Sequence, residues 1–263
     1  MKNIEGRVAI ITGSASGVGA ATARLLASMS CHVVINYSRS AKAADQVAKE
    51  CEALGAQVLV CQADVAADAA CRKMVEETLA KWGRIDILVN NAGTTKFCEH
   101  DNLDGLDSAD FSNIYSVNVI GPYQMIRAVA PAMRANEEGG VVVNVASTAA
   151  VTGIGSSVAY AASKGALVTM TLSLARALGP ALRINAVCPG FIQGEWLREG
   201  LGAQQYEAAK AHHERNAPLG VTADADTVAD AILFFITGPQ IVTGETLIVD
   251  GGRHLNSVPL ARR

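Results

Sequence analysis

VAIITGSASGVG, residues 8 to 19, sets the frame for everything downstream. Val8 to Ile11 form a short, continuously apolar run, which reads as a buried strand. Thr12 then opens a turn with glycines at 13, 17 and 19, and helical periodicity follows from about residue 18. Glycines let a backbone turn sharply and come close to a charged group. The amide N–H groups of the next helix's first turn attract anions. The spacing is Gly-x-x-x-Gly-x-Gly rather than the Gly-x-Gly-x-x-Gly of the general dinucleotide fingerprint. A purely structural tight turn is the competing reading. Its place between a strand and a helix favours a pyrophosphate cradle made by Gly13, Ser14, Ser16, Gly17, Val18 and Gly19.

The same alternation continues through the 263 residues. Strands are expected at Val8–Thr12, His32–Asn36, Gln57–Cys61, Ile85–Asn90, Gly140–Val145, Arg183–Val187 and Thr246–Val249. Helices are expected near 18–29, 41–53, 68–82, 109–135, 158–179 and 224–236. Strands separated by long crossovers imply a parallel sheet covered on both faces. Half the residues are hydrophobic but only 5% are aromatic, as suits buried parallel strands under alanine-rich helices. No linker, composition shift or internal repeat divides the chain, so one domain over 1–263 is expected.

A net charge of -3 gives no reason to expect nucleic acid or an anionic membrane as partner. Cys31, Cys51, Cys61, Cys71, Cys98 and Cys188 show no CxxC pair and no adjoining histidine cluster. They read as reduced thiols, and no metal site is expected. The start, MKNIEGRVAI, lacks a signal peptide's apolar stretch, and the uncharged run 139–163 is too rich in Gly, Ser, Thr and Asn to span a membrane. A cytoplasmic protein is the expectation, and the Asn36-Tyr37-Ser38 sequon reads as coincidental.

The end of the second strand selects among dinucleotides. A free ribose 2′-hydroxyl calls for an acid about 20 residues past the glycines. Here Asn36-Tyr37-Ser38-Arg39-Ser40 carries none, and the first acid is Asp45. Arg39, with Tyr37, Ser38 and Ser40 beside it, suits a 2′-phosphate, so NADP(H) is favoured over NAD(H). A solvated loop arginine is the plainer alternative. Asp64-Val65 follows the third strand, where the carboxylate can accept the adenine amino group or cap the next helix. Asn90-Asn91-Ala92-Gly93 ends the fourth strand with amides that tie neighbouring backbone and small residues that let a cofactor pass. Asn118 falls inside the expected 109–135 helix. Asn is unfavourable there unless it binds water or satisfies a kink.

Downstream lies STAAVTGIGSSVAYAASK, residues 147–164. Tyr160 and Lys164 stand four apart and share a helix face. A phenol titrates near pH 10, and an adjacent ammonium favours the phenolate, by a shift of about 2 units for a close, partly desolvated cation. Alone, the pair is also what a surface helix shows by chance.

Together these segments resemble the short-chain dehydrogenase/reductase family. The matching elements are TGSASGVG, NNAG at 90–93, Asn118, Ser147 thirteen residues before Tyr160, Tyr160-x-x-x-Lys164, and Pro189-Gly190. The likeness runs to Val249-Asp250-Gly251-Gly252. It implies a doubly wound α/β Rossmann fold, with a seven-stranded parallel sheet and helices on both faces. It implies Tyr160 as general acid or base and Lys164 as the group that lowers its pKa and holds the nicotinamide ribose. It further implies Ser147 as donor to the substrate oxygen, and Asn118 as holder of a relay water. Asn91, Ala92, Gly93, Pro189, Gly190 and Ile192 would line the cofactor, and a homotetramer is implied.

Departures qualify the likeness. Gly194 stands where the family often has a threonine that touches the cofactor. The overall sequence resembles 3-oxoacyl-acyl-carrier-protein reductases, but Glu137-Glu138 would repel an acidic carrier if they faced it. A free small carbonyl or alcohol is therefore the favoured substrate, the acyl carrier the alternative, and a non-catalytic dinucleotide sensor the remote one. Residues 191–218 are expected to form a substrate lid. There Trp196, Leu197, Leu201 and Tyr206 either face substrate or pack on the sheet. His212 and His213, pointing apart, read as a solvated helix end. Residues 253–263 read as a disordered tail.

Overall fold

The computed structural model describes residues 1–255. Seven parallel strands form one sheet: β1 (Val8–Ile11), β2 (His32–Tyr37), β3 (Val58–Gln62), β4 (Ile87–Asn90), β5 (Gly140–Val145), β6 (Leu182–Pro189) and β7 (Thr246–Val249). Their spatial order is β3-β2-β1-β4-β5-β6-β7. Successive crossovers therefore run outward to one side as far as β3 and then to the other, and the order reverses between β1 and β4. A ligand crevice belongs at that reversal, outside the strands' carboxyl ends.

The helices are α1 (Gly17–Ser28), α2 (Ala41–Ala53), α3 (Asp68–Trp82), α4 (Ser108–Tyr115), α5 (Gly121–Ala135), α6 (Ala149–Thr152), α7 (Val158–Leu178), α8 (Glu195–Leu201), α9 (Ala203–Asn216) and α10 (Ala225–Thr237). Strand alternation sorts the core. Ala9, Ile11, Val33, Ile35 and Val143 face a cluster with α1, α2 and α10. Ile10, Val34, Leu88 and Val142 face one with α3, α5 and the far part of α7. Burial on both sides explains why the strands read as unbroken apolar runs instead of alternating ones.

The expected 109–135 helix is broken. A π-helical turn, Ser116–Ile120, separates α4 from α5. Pro122 supplies the reason: it has no N–H to give the carbonyl of residue 118, four positions back. Polar ties brace the interior beside it. The Asn90 amide donates to Asn144 Oδ1 at 2.9 Å, and the Asn144 amide donates to Thr171 Oγ1 at 2.9 Å. This links β4, β5 and α7 through groups that would be costly to bury unpaired. All six cysteines are free thiols. The tail expectation lies mostly outside the described residues; Arg253–Leu255 form a short 3-10 turn.

Glu137 and Glu138 immediately precede β5, at the amino edge of the sheet, and Glu138 pairs with Arg7 at 2.9 Å. The six residues of β5 separate them from Ser147, about 20 Å at 3.3 Å per residue. They do not face the crevice, and the repulsion argued from them against an acidic carrier falls.

Candidate active site

The crevice at the carboxyl edge is continuous, about 1520 Å³, and runs from Arg39 past the glycine turn to Tyr160 and onward to α8. The turn is held from three directions. The Thr12 hydroxyl accepts the N–H groups of Asn91 and Ala92, both at 3.0 Å, and so ties the β1 end to the β4 end. Asn91 Nδ2 donates back to the carbonyls of Thr12 and Gly13. Asn36 Oδ1 accepts the Gly13 N–H at 3.0 Å, and its amide donates to Cys61 and Ala63 carbonyls. Thus Asn36, the next-to-last residue of β2, is a buried brace for the loop. Its role was not read in the sequence, although an amide at a strand end is the signal that marks it.

Gly13 and Gly17 hold positive φ values of +62° and +55°, which favour glycine. At Gly19 an added Cβ would stand 2.6 Å from the Gly13 carbonyl oxygen, so close helix–turn packing demands glycine. Gly19→Ala is expected to cost about 1–3 kcal/mol by overpacking, checked by urea denaturation. Gly13, Ser16, Gly17 and Val18 line the crevice. Ser14 does not: it is fully buried, donates to the Ile11 carbonyl at 2.8 Å and accepts the Asn36 N–H at 2.9 Å. Ser14 and Gly19 are structural parts of the turn, a correction to their reading as contacts.

Tyr37, Ser38 and Arg39 lie at one end of the crevice. Arg39 is exposed and has no ion-pair partner among the described residues. Asp64 also lines the crevice. Its Oδ1 accepts the Ala66 N–H in a local turn, while the residue preceding α3 is Ala67, so Asp64 is not the helix cap. Val65 sits beneath, its carbonyl bonded by Gln124.

Ser157, extended at φ -170°, accepts the Tyr160 N–H at 3.3 Å and opens α7, placing Tyr160 in the first turn with its ring at the crevice. Lys164 lies one turn on, nearly buried, its Nζ donating to the Val145 carbonyl at 2.8 Å and 5.7 Å from the Tyr160 ring centre. Burial pushes the Tyr160 hydroxyl up to about 12, with the Ser147 hydrogen bond opposing. Burial also drives Lys164 down to about 8. Burial, and not the Lys164 ammonium, sets the direction of the Tyr160 shift, opposite to the lowering expected from the helix spacing.

Ser147 follows β5 and opens onto the same space, its hydroxyl accepting the Ala149 N–H at 3.2 Å. Asn118 is fully buried. Its Oδ1 accepts the Thr94 N–H, and its amide donates to the Thr94 carbonyl and to Ser163 Oγ at 3.0 Å. Ser163 Oγ in turn donates to the Tyr160 carbonyl at 2.7 Å. The Asn118 side chain therefore joins the β4 loop, the π turn and α7, and both its amide hydrogens are committed. Ala92 and Gly93 line the crevice at this point, as do Pro189, Gly190 and Ile192 on the other wall. Gly190 has no room for a side chain: an added Cβ would lie 2.7 Å from Asp250 Cβ.

The segment 191–218 folds as α8 and α9. Tyr206 packs: it is buried, 5.4 Å from the Phe191 ring, and its hydroxyl accepts the Gly194 N–H. Trp196, Leu197 and Leu201 line the crevice instead. His213 is a correction. Its ring lies 5.1 Å from Phe191 beside the crevice, and burial lowers its pKa, so it is not a solvated helix end. Phe97, in the β4–α4 loop, stands 5.9 Å from the Trp196 ring and had no signal in the sequence.

The residues fit a dinucleotide. No side chain caps the start of α1, and its first turn has no acid to compete with a phosphate. Gly17 borders open space, where an added Cβ would meet nothing within 4 Å. Fold and crevice define a doubly wound dinucleotide-binding protein in which the start of α7 and the end of β5 bring together a tyrosine, a lysine and a serine. The family model described as "Enoyl-(Acyl carrier protein) reductase" matches residues 13–254. A Streptomyces violaceoruber protein, "Granaticin polyketide synthase putative ketoacyl reductase 2", is 38% identical, covering 95% of this chain and 97% of that one. Subunit BbsD of (2S)-[(R)-hydroxy(phenyl)methyl]succinyl-CoA dehydrogenase from Thauera aromatica is also 38% identical, covering 96% and 98%. The solved structure of a chain assigned to the short-chain dehydrogenases/reductases, from Burkholderia xenovorans, superposes with a TM-score of 0.88 at 39% identity, covering 95% and 99%. The chain belongs to the short-chain dehydrogenase/reductase family, oxidoreductases that act on alcohol or ketone groups with a nicotinamide dinucleotide.

Proposed function

We propose that this chain is an NADP(H)-dependent reductase or dehydrogenase of a small carbonyl or alcohol substrate, with Tyr160 as general acid in reduction and general base in oxidation. The observation that carries the reading is the convergence of Tyr160, Lys164 and Ser147 on one wall of a crevice whose far end holds Arg39. When bound, the nicotinamide supplies or accepts the hydride. Ser147 donates to the substrate oxygen and, with Tyr160, stabilises the alkoxide character that develops there. Tyr160 delivers the proton to that oxygen. Lys164 holds the ribose hydroxyls and carries positive charge beside the phenol. Asn118 holds a relay water through its main-chain carbonyl, since its side chain is committed and Pro122 has no N–H to occupy that carbonyl.

Arg39 binds a 2′-phosphate, with Ser38 and Tyr37 beside it. Asp64 and Val65 receive the adenine. Gly13, Ser16, Gly17 and Val18 receive the pyrophosphate, and Asn91, Ala92, Gly93, Pro189, Gly190 and Ile192 enclose the nicotinamide half. We read residues 191–218 as the lid of one domain. The exposed apolar side chains of Ile120, Tyr123 and Leu172 suit helix pairing in a cytoplasmic homotetramer. A second reading, reduction of a 3-oxoacyl thioester, draws support from the ketoacyl reductase named among the relatives.

Loss of nicotinamide absorbance with a ketone present tests the activity. NADPH is expected to give the higher kcat/KM, and Arg39→Ala should narrow its advantage over NADH by about ten-fold or more, the value of one charge-assisted phosphate contact. An unmodified protein that prefers NADH would sink the assignment of Arg39.

A further inference from the structure

The crevice continues beyond Tyr160 into a compartment the dinucleotide does not need, and its walls are unlike the rest. Phe97 enters from the β4–α4 loop and Trp196 from α8, their rings tilted at 49°. Ile154, on the loop ahead of Tyr160, is 74% exposed and Trp196 52% exposed, yet both line the crevice. Large apolar side chains left open to water beside a polar, proton-delivering end describe a pocket for an apolar body carrying one oxygen.

Gly200 fixes this wall. It sits on α8 against Phe97, and a methyl group built at Gly200 overlaps the Phe97 ring itself. The missing side chain is therefore what lets the loop and α8 close on each other. The loop is tied in turn to the segment leading into α7 and Tyr160: Cys98 N–H donates to the Ser156 carbonyl at 2.9 Å, and His100 Nε2 lies 3.1 Å from the Gly155 carbonyl.

Charge adds a second restriction. Glu99 and Glu199 line the crevice beside Phe97 and Gly200, exposed, and neither has an ion-pair partner among the described residues. Lys96 is bound to Asp110 at 2.6 Å, and Arg198 to Glu207 at 2.8 Å. Among the described lining residues the only lysine or arginine side chains are Arg39, at the far end, and the buried Lys164. A phosphate-bearing thioester arm would pass two carboxylates with no cation to receive it.

We infer that Gly200 is the specificity-determining residue of this site, seating Phe97 so that Phe97 and Trp196 clasp an uncharged aryl or cyclic ketone, or the matching secondary alcohol. This rests on the reductase reading above and narrows its substrate class.

The test uses the full chain with NADPH and three probes: acetophenone, butanone and acetoacetyl-CoA. Acetophenone should exceed both others in kcat/KM by about ten-fold or more, the range an apolar pocket discriminates. Gly200→Ala should lower its kcat/KM by about ten-fold, through KM, while NADPH affinity stays within about two-fold. In a Phe97→Ala background the same change should have little further effect, because no ring remains to collide. With Trp82→Phe leaving Trp196 as the one tryptophan, acetophenone should quench fluorescence of the NADP⁺ complex, and less so after Gly200→Ala. Equal losses from Gly200→Ala with and without Phe97 would overturn the clasp. Preference for acetoacetyl-CoA would overturn the substrate class and leave the reductase reading standing. No turnover of any probe, with no acetophenone quench, would overturn both.

Discussion

Tyr160→Phe is expected to lose about a thousand-fold or more in kcat for any carbonyl substrate while binding NADPH within about three-fold of the unmodified protein. General acid catalysis contributes about 10²–10⁴-fold, and here no other group is placed to replace it. Ser147 is a far weaker acid. Lys164 Nζ is held on the Val145 carbonyl, and Asn118 is locked by Thr94 and Ser163. The Phe ring keeps the packing of the first turn of α7, so a folded, cofactor-competent protein should result. Steady-state absorbance gives the rate, and cofactor fluorescence gives the affinity. Activity within about ten-fold of the original would remove Tyr160 as the acid, since that is less than the usual acid–base contribution.

Lys164→Met separates activity from stability, and in opposite directions. Turnover should fall about a hundred-fold or more, because the charge beside the phenol is gone. Stability at pH 7 should rise. Burial lowers Lys164 from 10.5 to about 8, so the folded state holds the charged form at a cost. A shift of that size corresponds to about 3 kcal/mol, present in full below pH 8. Losing the bond to the Val145 carbonyl offsets part of it, about 1–2 kcal/mol. A net gain of about 1–2 kcal/mol remains.

The sign fixes the pH dependence. Between about pH 8 and 10.5 the unfolded chain binds more protons at this site than the folded one, so the lysine-containing protein gains stability relative to the variant as pH rises. The advantage of Lys164→Met should shrink across that window and reverse above it, where a neutral lysine still donates to the Val145 carbonyl and the methionine does not. Urea denaturation of both proteins at pH 7 and pH 10 measures this. A variant less stable at pH 7 would show that the lysine is held by interactions stronger than its desolvation. Such a trade of stability for function is typical of active-site charges.

Much of this was legible in the chain. Strand existence and the parallel sheet followed from local properties, since continuous apolar runs separated by helical periods call for long crossovers. The strand–glycine–helix turn announces its own conformation through positions that require glycine. Asn118 announced itself by being wrong for a helix interior, and the π turn at Pro122 is the kink that reading allowed for.

What remained hidden depends on atoms brought together from distant segments. Ser14 and Ser16 are indistinguishable as text, yet one hydroxyl points into the turn and the other residue lines the crevice. Glu137 and Glu138 look like entrance charges until the direction of β5 puts them at the far edge of the sheet. Tyr206 and Trp196, ten positions apart on the consecutive helices α9 and α8, divide into packing and lining only once Phe191 and Phe97 are in place.

The sequence by itself determined the strands of a helix-covered parallel sheet and the glycine turn that follows the first of them, while the doubly wound order and Tyr160 as the proton-transfer group came with the resemblance to a known family. Periodicity and glycine stereochemistry are local, and so can be read without the fold. Only the tertiary structure decided the electrostatic state of Tyr160 and Lys164, because burial is a property of the whole fold. The same is true of Gly200: its meaning lies in the Phe97 ring that occupies the space its side chain would have filled.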